Sequence, residues 1–545
     1  MSEPFKRLVA VLIASVAAML SVVSLWQSNA SEMDAQASRD FQRYGLEVMG
    51  KSLSGQAVLA FDSNRAFAAW QFFSQLAFNA EQAGDQKAAE RYRALSAQMR
   101  DSTPLLQPPY FDPQEQEADL LHYAADRLLV DLARLNEQFS AALSVREAWN
   151  GKLNAYAIHL TLLSVSLFLL GLAATLNSRL MQRAFAVIGV LIALLASAAA
   201  FSTWQTPVRD LRRVPSAIEA YAQGMGWIYR QEFEKAFEAF SRAIAAAPDY
   251  AQAYLGRTLA ANALDNLEQV IADFEQARQL GDRSVQTLIS LAWTYARTYQ
   301  YDSALRLYEE ALSLSPEEIW AYFDLGLVRL VSGAPFEQVQ AAYEQGMRLA
   351  TRLTAESRAG IGAPPSYLWE ALDDASLQLD RVVRTLRQDT FFDGVFFPLE
   401  KLRLAPAQAA QIEALTHALK SLAVSLEYYG APPTARSAAR FSPLRILDGD
   451  GAAREIFPDH TGVLWLKTTF SGARDGSDLL IKFFHDGFED MSLRFFESWS
   501  YGAQGDAEIE IAASEGGNFA FERGDYIVEL YIDGQFMTSG RFRIE

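Results

Sequence analysis

The chain has 545 residues, with charged residues at 21%, the hydrophobic set at 50% and a mean hydropathy near zero, which directs attention to membrane spans. It has no cysteine, so disulfide frameworks, thiolate metal sites and cysteine nucleophiles are excluded together, and five scattered histidines leave little for a histidine metal centre. A formal charge of −18 opposes nucleic-acid binding, which needs a cationic track.

Three uncharged apolar runs come first: Leu8–Trp26, Ala155–Leu176 and Ala184–Trp204. Each reaches the roughly 20 residues that a helix needs to cross about 30 Å of hydrocarbon, so residues 8–26, 155–176 and 184–204 are expected to be transmembrane helices. Ser28-Asn29-Ala30 offers a signal-peptide cleavage site, but the long apolar stretch favours an uncleaved anchor. Lys6 and Arg7 before the first run, and Arg179 and Arg183 in the short connector, place the amino terminus in the cytoplasm and the bulk outside it. Arg209, Arg212 and Arg213 count against that orientation.

Between the first two runs, residues 27–154 read as a helical ectodomain, with apolar residues at helical spacing (Phe67, Trp70, Phe73; Leu121, Leu128, Leu132, Leu135). Gly84-Asp85 and the prolines between Pro104 and Pro113 break it. Asp112-Pro113, followed by Glu115 and Glu117, predicts the start of a long helix running into the second span.

Residues 217–350 repeat at a period of 34. In blocks starting at Ala217, Ala251, Val285 and Ile319, position 24 is Phe240, Phe274 and Tyr308, and position 27 is Ala243, Ala277 and Ala311. Position 8 is Gly224, Thr258, Ala292 and Gly326, position 20 is Ala236, Val270 and Ala304, and position 32 is Pro248, Asp282 and Pro316. The fourth block needs one inserted residue near Gly333-Ala334-Pro335 to align Tyr343 and Gly346. The pattern resembles the tetratricopeptide repeat family, in which small residues let paired helices cross, position 8 here being expected to face position 20. The resemblance implies a superhelix whose concave face binds a protein or peptide partner. Carried over by position, it puts Tyr221, Met225, Tyr229, Gln252, Asn262, Gln286, Trp293, Arg297, Trp320, Phe323 and Asp324 near that groove. Position 9 is Met225, Leu259, Trp293 and Leu327, which argues against capture of a terminal carboxylate.

Two further helices, Tyr367–Arg387 and Pro406–Tyr429, are expected to cap the array over residues 366–430, joined by the aromatic segment Phe391–Pro398. Acid pairs such as Asp373-Asp374 are expected on exposed helix faces or first turns. Residues 431–436 read as a linker.

From Phe441 the period becomes two, and strands are expected at Val463–Phe470, Asp478–His485, Ser492–Ser500, Ala507–Ala512, Asp525–Ile532 and Gln535–Ile544. Asp533-Gly534 is a two-residue hairpin signal. The ending resembles the last hairpin of immunoglobulin-like modules of bacterial envelope proteins, implying a β-sandwich over 441–545. This region counts 9 basic and 19 acidic residues, which suits a cationic partner or a solubility role.

Nucleophile-elbow, phosphate-loop and zinc-helix motifs are absent. Asp448-Gly449-Asp450-Gly451 reads as a turn, and the group around His485 as a hairpin loop. The fold class is therefore multidomain: transmembrane helices, an all-α repeat solenoid, then an all-β sandwich. The functional expectation is a non-catalytic, membrane-anchored, extracytoplasmic scaffold with no cofactor or metal, embedded in the lipid bilayer of a bacterial envelope. Two alternatives stand beside it. One is a receptor in which residues 27–154 sense a ligand and the repeats signal on the opposite side. The other is glycan binding through Phe483, Phe484, Trp499 and Tyr501.

Overall fold

The computed structural model describes residues 3–112, 117–360, 363–387, 408–433, 437–512 and 520–545. The chain divides into two compact units, Met1–Asp282 and Arg283–Glu545.

In the first unit, helix α1 (Glu3–Phe61) passes through a π-helical turn (Asp62–Phe67) into α2 (Ala68–Gln82). Gly84, at φ 77°, turns the chain into α3 (Gln86–Asp101), and the Asp85 side chain caps that helix by accepting from the Ala88 amide. A two-residue ladder pairs β1 (Phe111–Asp112) with β2 (Glu117–Ala118). The expected helix start at Asp112-Pro113 is therefore wrong: Asp112 is in a strand, and residues 113–116 lie outside the described residues. Helix α4 (Leu120–Ala124) begins instead behind Asp119, whose carboxylate accepts from the His122 amide. A second π-helical turn (Ala125–Leu129) leads into α5 (Val130–Thr175), and α6 (Arg179–Gln205) returns.

Three of these helices are long and apolar enough to cross a membrane. At one end of their bundle the rings of Trp26 and Trp204 stack with centroids 5.6 Å apart, and Tyr156 lies 6.2 Å from Trp26. Helix α1 runs on past that level to Phe61, α5 reaches it from Val130, and α6 ends beside it at Gln205, so residues 27–154 and the turn just after 205 lie at the same end. Within the bundle, Ser166 Oγ donates to the Gly189 carbonyl across α5 and α6 at 2.7 Å. Gly189 lets the two backbones approach, since a Cβ there would sit 3.2 Å from the Ser166 carbonyl oxygen.

After a short turn come four helices in two antiparallel pairs: α7 (Pro215–Tyr229) with α8 (Phe233–Ala246), and α9 (Ala251–Ala263) with α10 (Leu267–Gln279). The first pair docks on α5. Arg134 meets Glu219 of α7 at 3.5 Å, Arg230 pairs with Asp126 in the π-helical turn before α5, and Tyr250, just before α9, donates to Glu137 Oε2 at 2.6 Å. Arg212 Nη1 reaches Asp40 on α1 at 2.7 Å. The first repeats therefore pack on the segment 27–154 itself.

The second unit continues the pairs: α11 (Val285–Arg297) with α12 (Tyr301–Leu314), and α13 (Ile319–Val331) with α14 (Phe336–Ala359). Helices α15 (Tyr367–Leu386) and α16 (Ala409–Val424) form a further pair. Their apolar faces share one core with α13 and α14, which includes Phe323, Tyr343, Leu372, Leu379, Ile412 and Leu419. The aromatic segment Phe391–Pro398 lies outside the described residues.

Two antiparallel-rich sheets follow. One contains β3 (Arg440–Phe441), β4 (Arg445–Leu447), β6 (Val463–Ser471) and β10 (Gln504–Ala512). The other contains β5 (Ile456–Phe457), β7 (Asp478–His485), β8 (Phe488–Glu489), β9 (Phe495–Ser498), β11 (Gly524–Ile532) and β12 (Gln535–Ile544). Leu464, Leu466 and Ile509 of the first meet Ile481, Phe483, Val528 and Phe542 of the second in a common core. Asp533 and Gly534 have φ of 50° and 75°, the pair of positive values that a tight β-hairpin turn requires. The strand expected from Ser492 starts later, at Phe495, because Asp490 caps a 3₁₀ turn at Met491–Leu493.

Candidate functional site

The repeat signature has a physical basis that differs from the expected one. In the two blocks with glycine at position 8, the nearest neighbour of that position is the aromatic at position 24, rather than position 20. Phe240 is fully buried, and a Cβ on Gly224 would sit 2.7 Å from its ring. A Cβ on Gly256 of the next pair would sit 2.5 Å from the same ring, so the phenyl group fills a slot between two glycines. The fourth block repeats the device. A Cβ on Gly326 would lie 2.5 Å from the Tyr343 ring, and one on Gly346 would lie 2.5 Å from Phe323. The inserted residue before α14 is thus absorbed in the turn, with Gly333 at φ 81°.

The groove candidates separate into packed and open residues. In the first unit, Tyr221 packs edge-on against Phe240 at 5.5 Å and also meets Tyr250, so it serves the repeat interior. Tyr229 is half-buried at the end of α7, while Gln252 and Asn262 on α9 are exposed. In the second unit, Gln286 on α11 and Trp320 on α13 are exposed, and Arg297 is half-buried. Trp293 packs against the shared helical core, and Phe323 is buried in it. Asp324 turns inward: the Tyr308 hydroxyl, from position 24 of the preceding block, donates to its Oδ2 at 3.3 Å. Phe323 is therefore a packing residue rather than a groove contact, while Tyr221, Trp293 and Asp324 are half-buried and make packing contacts as well. Met225 is half-buried, Leu327 is buried, and Leu259 is exposed.

Burial, with the charge of Asp374 beside it, lifts the Asp324 carboxyl to about 7. An unfolded carboxyl loses its proton near 4, so between about pH 4 and 7 the folded state holds more protons than the unfolded one, and stability falls as pH rises. Asp324→Asn is expected to raise stability by about 1 kcal/mol at pH 8, a value discounted for partial exposure, and to change nothing at pH 4. Thermal melts at the two pH values check this; an equal gain at both would contradict it.

Sequence reading missed the buried charge between the helical pair and the second sheet. Lys482, fully buried on β7, donates to Asp373 Oδ2 of α15 at 2.7 Å and lies 3.0 Å from Glu489. Lys420 of α16, 1% exposed, lies 2.5 Å from Asp380 and 2.7 Å from the buried Glu529 of β11. Arg494 bridges Glu427 and Glu489 at 2.5 Å each, and also reaches the Tyr428 hydroxyl at 2.6 Å. Asp373 is thus not on an exposed face as expected. Burial raises its carboxyl to about 6 even though Lys482 pulls the other way. For Lys482 burial opposes charge, but Asp373 and Glu489 outweigh it and hold the ammonium above its ordinary value.

The aromatic face expected for glycans is also corrected. Phe483, Phe484 and Trp499 are buried, and Trp499 Nε1 donates to the Gly502 carbonyl at 2.9 Å while its ring meets Phe470 edge-on at 4.7 Å. Of the four, only Tyr501 is exposed. His485 stacks on Tyr526 at 4.5 Å, with its Nε2 3.0 Å from the Arg523 carbonyl. Asp448 accepts from the amides of Asp450 and Ala452, which closes the turn.

Fold and surface together define a class: successive antiparallel helix pairs in a tetratricopeptide-like arrangement, followed by a C-terminal β-sheet region. No family model matches the chain. Among solved structures it is similar to YrrB, a tetratricopeptide repeat protein with an unusual peptide-binding site, at 14% identity and TM-score 0.25, covering 40% of this chain and 95% of that one. It is also similar to a tetratricopeptide repeat protein from Parabacteroides merdae, at 12% identity and TM-score 0.24, covering 64% of this chain and 99% of that one. The repeat arrangement rests on the helix pairs and their glycine–aromatic slots, independently of those scores. A curated relative, adenine deaminase of Aspergillus fumigatus, is 24% identical over 204 residues, 36% of this chain; the match spans 57% of that relative's length.

Proposed function

We propose that the protein is a membrane-anchored scaffold that docks a protein or peptide partner on its helical repeats and performs no reaction itself. The observation that carries this reading is the series of helix pairs, the first of them braced on a helix that continues into an apolar span. In this reading α1, α5 and α6 cross the lipid bilayer, the amino terminus is cytoplasmic, and the bulk lies in the bacterial cell envelope. The aromatic cluster of Trp26, Tyr156 and Trp204 supports a membrane–water interface at that level. The terminal β-region is read as an immunoglobulin-like module that adds a second contact. Confinement near the membrane raises the effective concentration for a partner held there. The likeness to adenine deaminase is not taken to confer catalysis.

A photo-crosslinking residue at Gln286 or Trp320, in cells, is expected to capture one discrete partner protein. A crosslinker at Arg352 on α14, a second helix of its pair, is expected to leave that partner uncaptured. Equal capture from both positions would sink the groove reading. Reporter fusions after Gly84 and after Glu545 are both expected to report the extracytoplasmic side; a cytoplasmic signal from either overturns the orientation.

A further inference from the structure

The acidic C-terminal region contains a feature that runs against its composition. Between the α15/α16 pair and the strands β4 and β12 lies an open cleft of about 550 Å³, within the size range of small-molecule sites. Six cationic side chains line it: Arg384, Arg387 and Lys420 from the helices, and Arg445, Arg454 and Arg541 from the β-region. Three acids, Asp380, Glu413 and Glu455, share the lining, so the cleft has a positive excess of three (6 − 3). Residues 441–545 contribute three of these cations and one of the acids, although that region as a whole has 9 basic and 19 acidic residues, an excess of ten negative charges (19 − 9). A random placement of charges on such a surface would favour an acidic cleft. Solvated surface arginines would also have spread apart to lower their mutual repulsion.

Part of that charge is engaged in structure. Lys420 is held by Asp380 and Glu529, Arg387 pairs with Glu413, Arg454 lies 2.7 Å from Asp448, and Arg541 lies 3.5 Å from Glu455. Arg445 has no ion pair among the described residues, and its side chain is exposed on the β wall. With Glu529 and Asp448 counted, five acids face the six cations, so the pairs hold guanidinium groups in place and leave a net excess of one (6 − 5). A guanidinium fork matches a carboxylate or phosphate edge bidentately, and arginines on opposite walls can grip one anion from two sides. Leu444, Ile446, Val383 and Phe536 add apolar and aromatic groups to the lining. The His417 imidazole lies 4.7 Å from the Phe536 ring, and burial together with Lys420 holds it below its ordinary pKa, so it is neutral at pH 7. A neutral imidazole adds a hydrogen-bonding group without adding charge.

We infer that this cleft binds a small organic anion carrying phosphate or carboxylate groups, held by Arg387 from the helical wall and Arg445 from the β wall. The site is independent of the repeat groove, so it stands or falls separately from partner docking. Because the ligand spans a helix pair and a sheet, occupancy would tie the β-region more tightly to the helices and report the anion's presence to whatever that region contacts.

The test uses the full-length protein in detergent, with inorganic pyrophosphate and citrate as separate probes, followed by calorimetry and thermal melting at 150 mM salt. Wild type is expected to bind at least one probe with a raised melting temperature, and the probe that binds assigns the phosphate or the carboxylate class. Arg445→Glu and Arg387→Glu are each expected to weaken binding at least tenfold. Arg445→Lys, which retains the charge but not the fork, is expected to weaken it less. Arg352→Glu on α14, outside the cleft, is expected to bind as wild type does. A variant that fails to fold shows itself by a lost cooperative melt, and Arg445→Lys then decides the question. No binding of either probe, or equal binding by Arg445→Glu, Arg387→Glu and wild type, overturns the inference.

Discussion

Lys482→Ala is expected to destabilise the second unit by about 3–5 kcal/mol, the cost typical of removing one partner from a buried ion pair. Lys482 is fully buried, and its loss would leave Asp373, Glu427 and Glu489 facing one another with only Arg494 to offset them. An exposed pair would cost no more than about 1 kcal/mol, so magnitude alone distinguishes a buried clamp from surface decoration. Denaturant unfolding of wild type and variant reads the difference. Faster proteolysis of the segment 431–439 is also expected, since the charge cluster holds α15 and α16 against β7 and β11. A loss below about 1 kcal/mol with unchanged proteolysis would mean that apolar packing such as His417 on Phe536 carries this contact instead. Replacing Lys482 and Asp373 together by Met and Leu is expected to recover much of the loss, because well-packed apolar residues often replace buried ions at little cost.

Phe240→Ala is the second large effect, with an expected cost of about 3–5 kcal/mol from a fully buried aromatic whose site cannot collapse. The cavity would open between Gly224 of α7 and Gly256 of α9, both of which face that ring. Filling the slot from the other side is no remedy. Gly256→Leu would drive a Cβ to 2.5 Å from the ring and is expected to separate the first two pairs. Both variants should loosen the docking of these pairs on α5, where Glu219 of α7 meets Arg134 and Tyr250 before α9 donates to Glu137. Hydrogen exchange along α7 and α9 would report this; protection equal to wild type in Phe240→Ala would contradict the slot model.

Much of the architecture was legible in the residues because it depends on local periodicity. Three uncharged runs, a spacing of 34 and an alternation of two each encode one element type, and Asp533-Gly534 encodes its own turn. Partner choice across space was not legible. Position 8 was expected to face position 20 because both are small, yet the ring of position 24 occupies the gap, and only the helix crossing decides which neighbour reaches the glycine. The helix start was misplaced for a related reason. Asp112 and Asp119 are equally good caps in isolation, and the pairing of Phe111–Asp112 with Glu117–Ala118 commits the first to a strand.

The same division applies to the functional surface. Gln252, Gln286 and Trp320 are exposed on the first helices of their pairs, whereas Tyr221, Trp293 and Asp324 at comparable positions are drawn into packing. Repeat phase specifies which helix a residue sits on, but its partner's side-chain length specifies whether it faces in or out. Charge was the least legible property. Asp373 looks like an ordinary surface acid until β7 delivers Lys482 to it from 109 residues away. What the residues determined alone was the order and kind of elements, because those follow from near neighbours. The tertiary structure decided which charges are buried, which glycines hold rings and which arginines converge, because each depends on distant segments brought within a few ångströms.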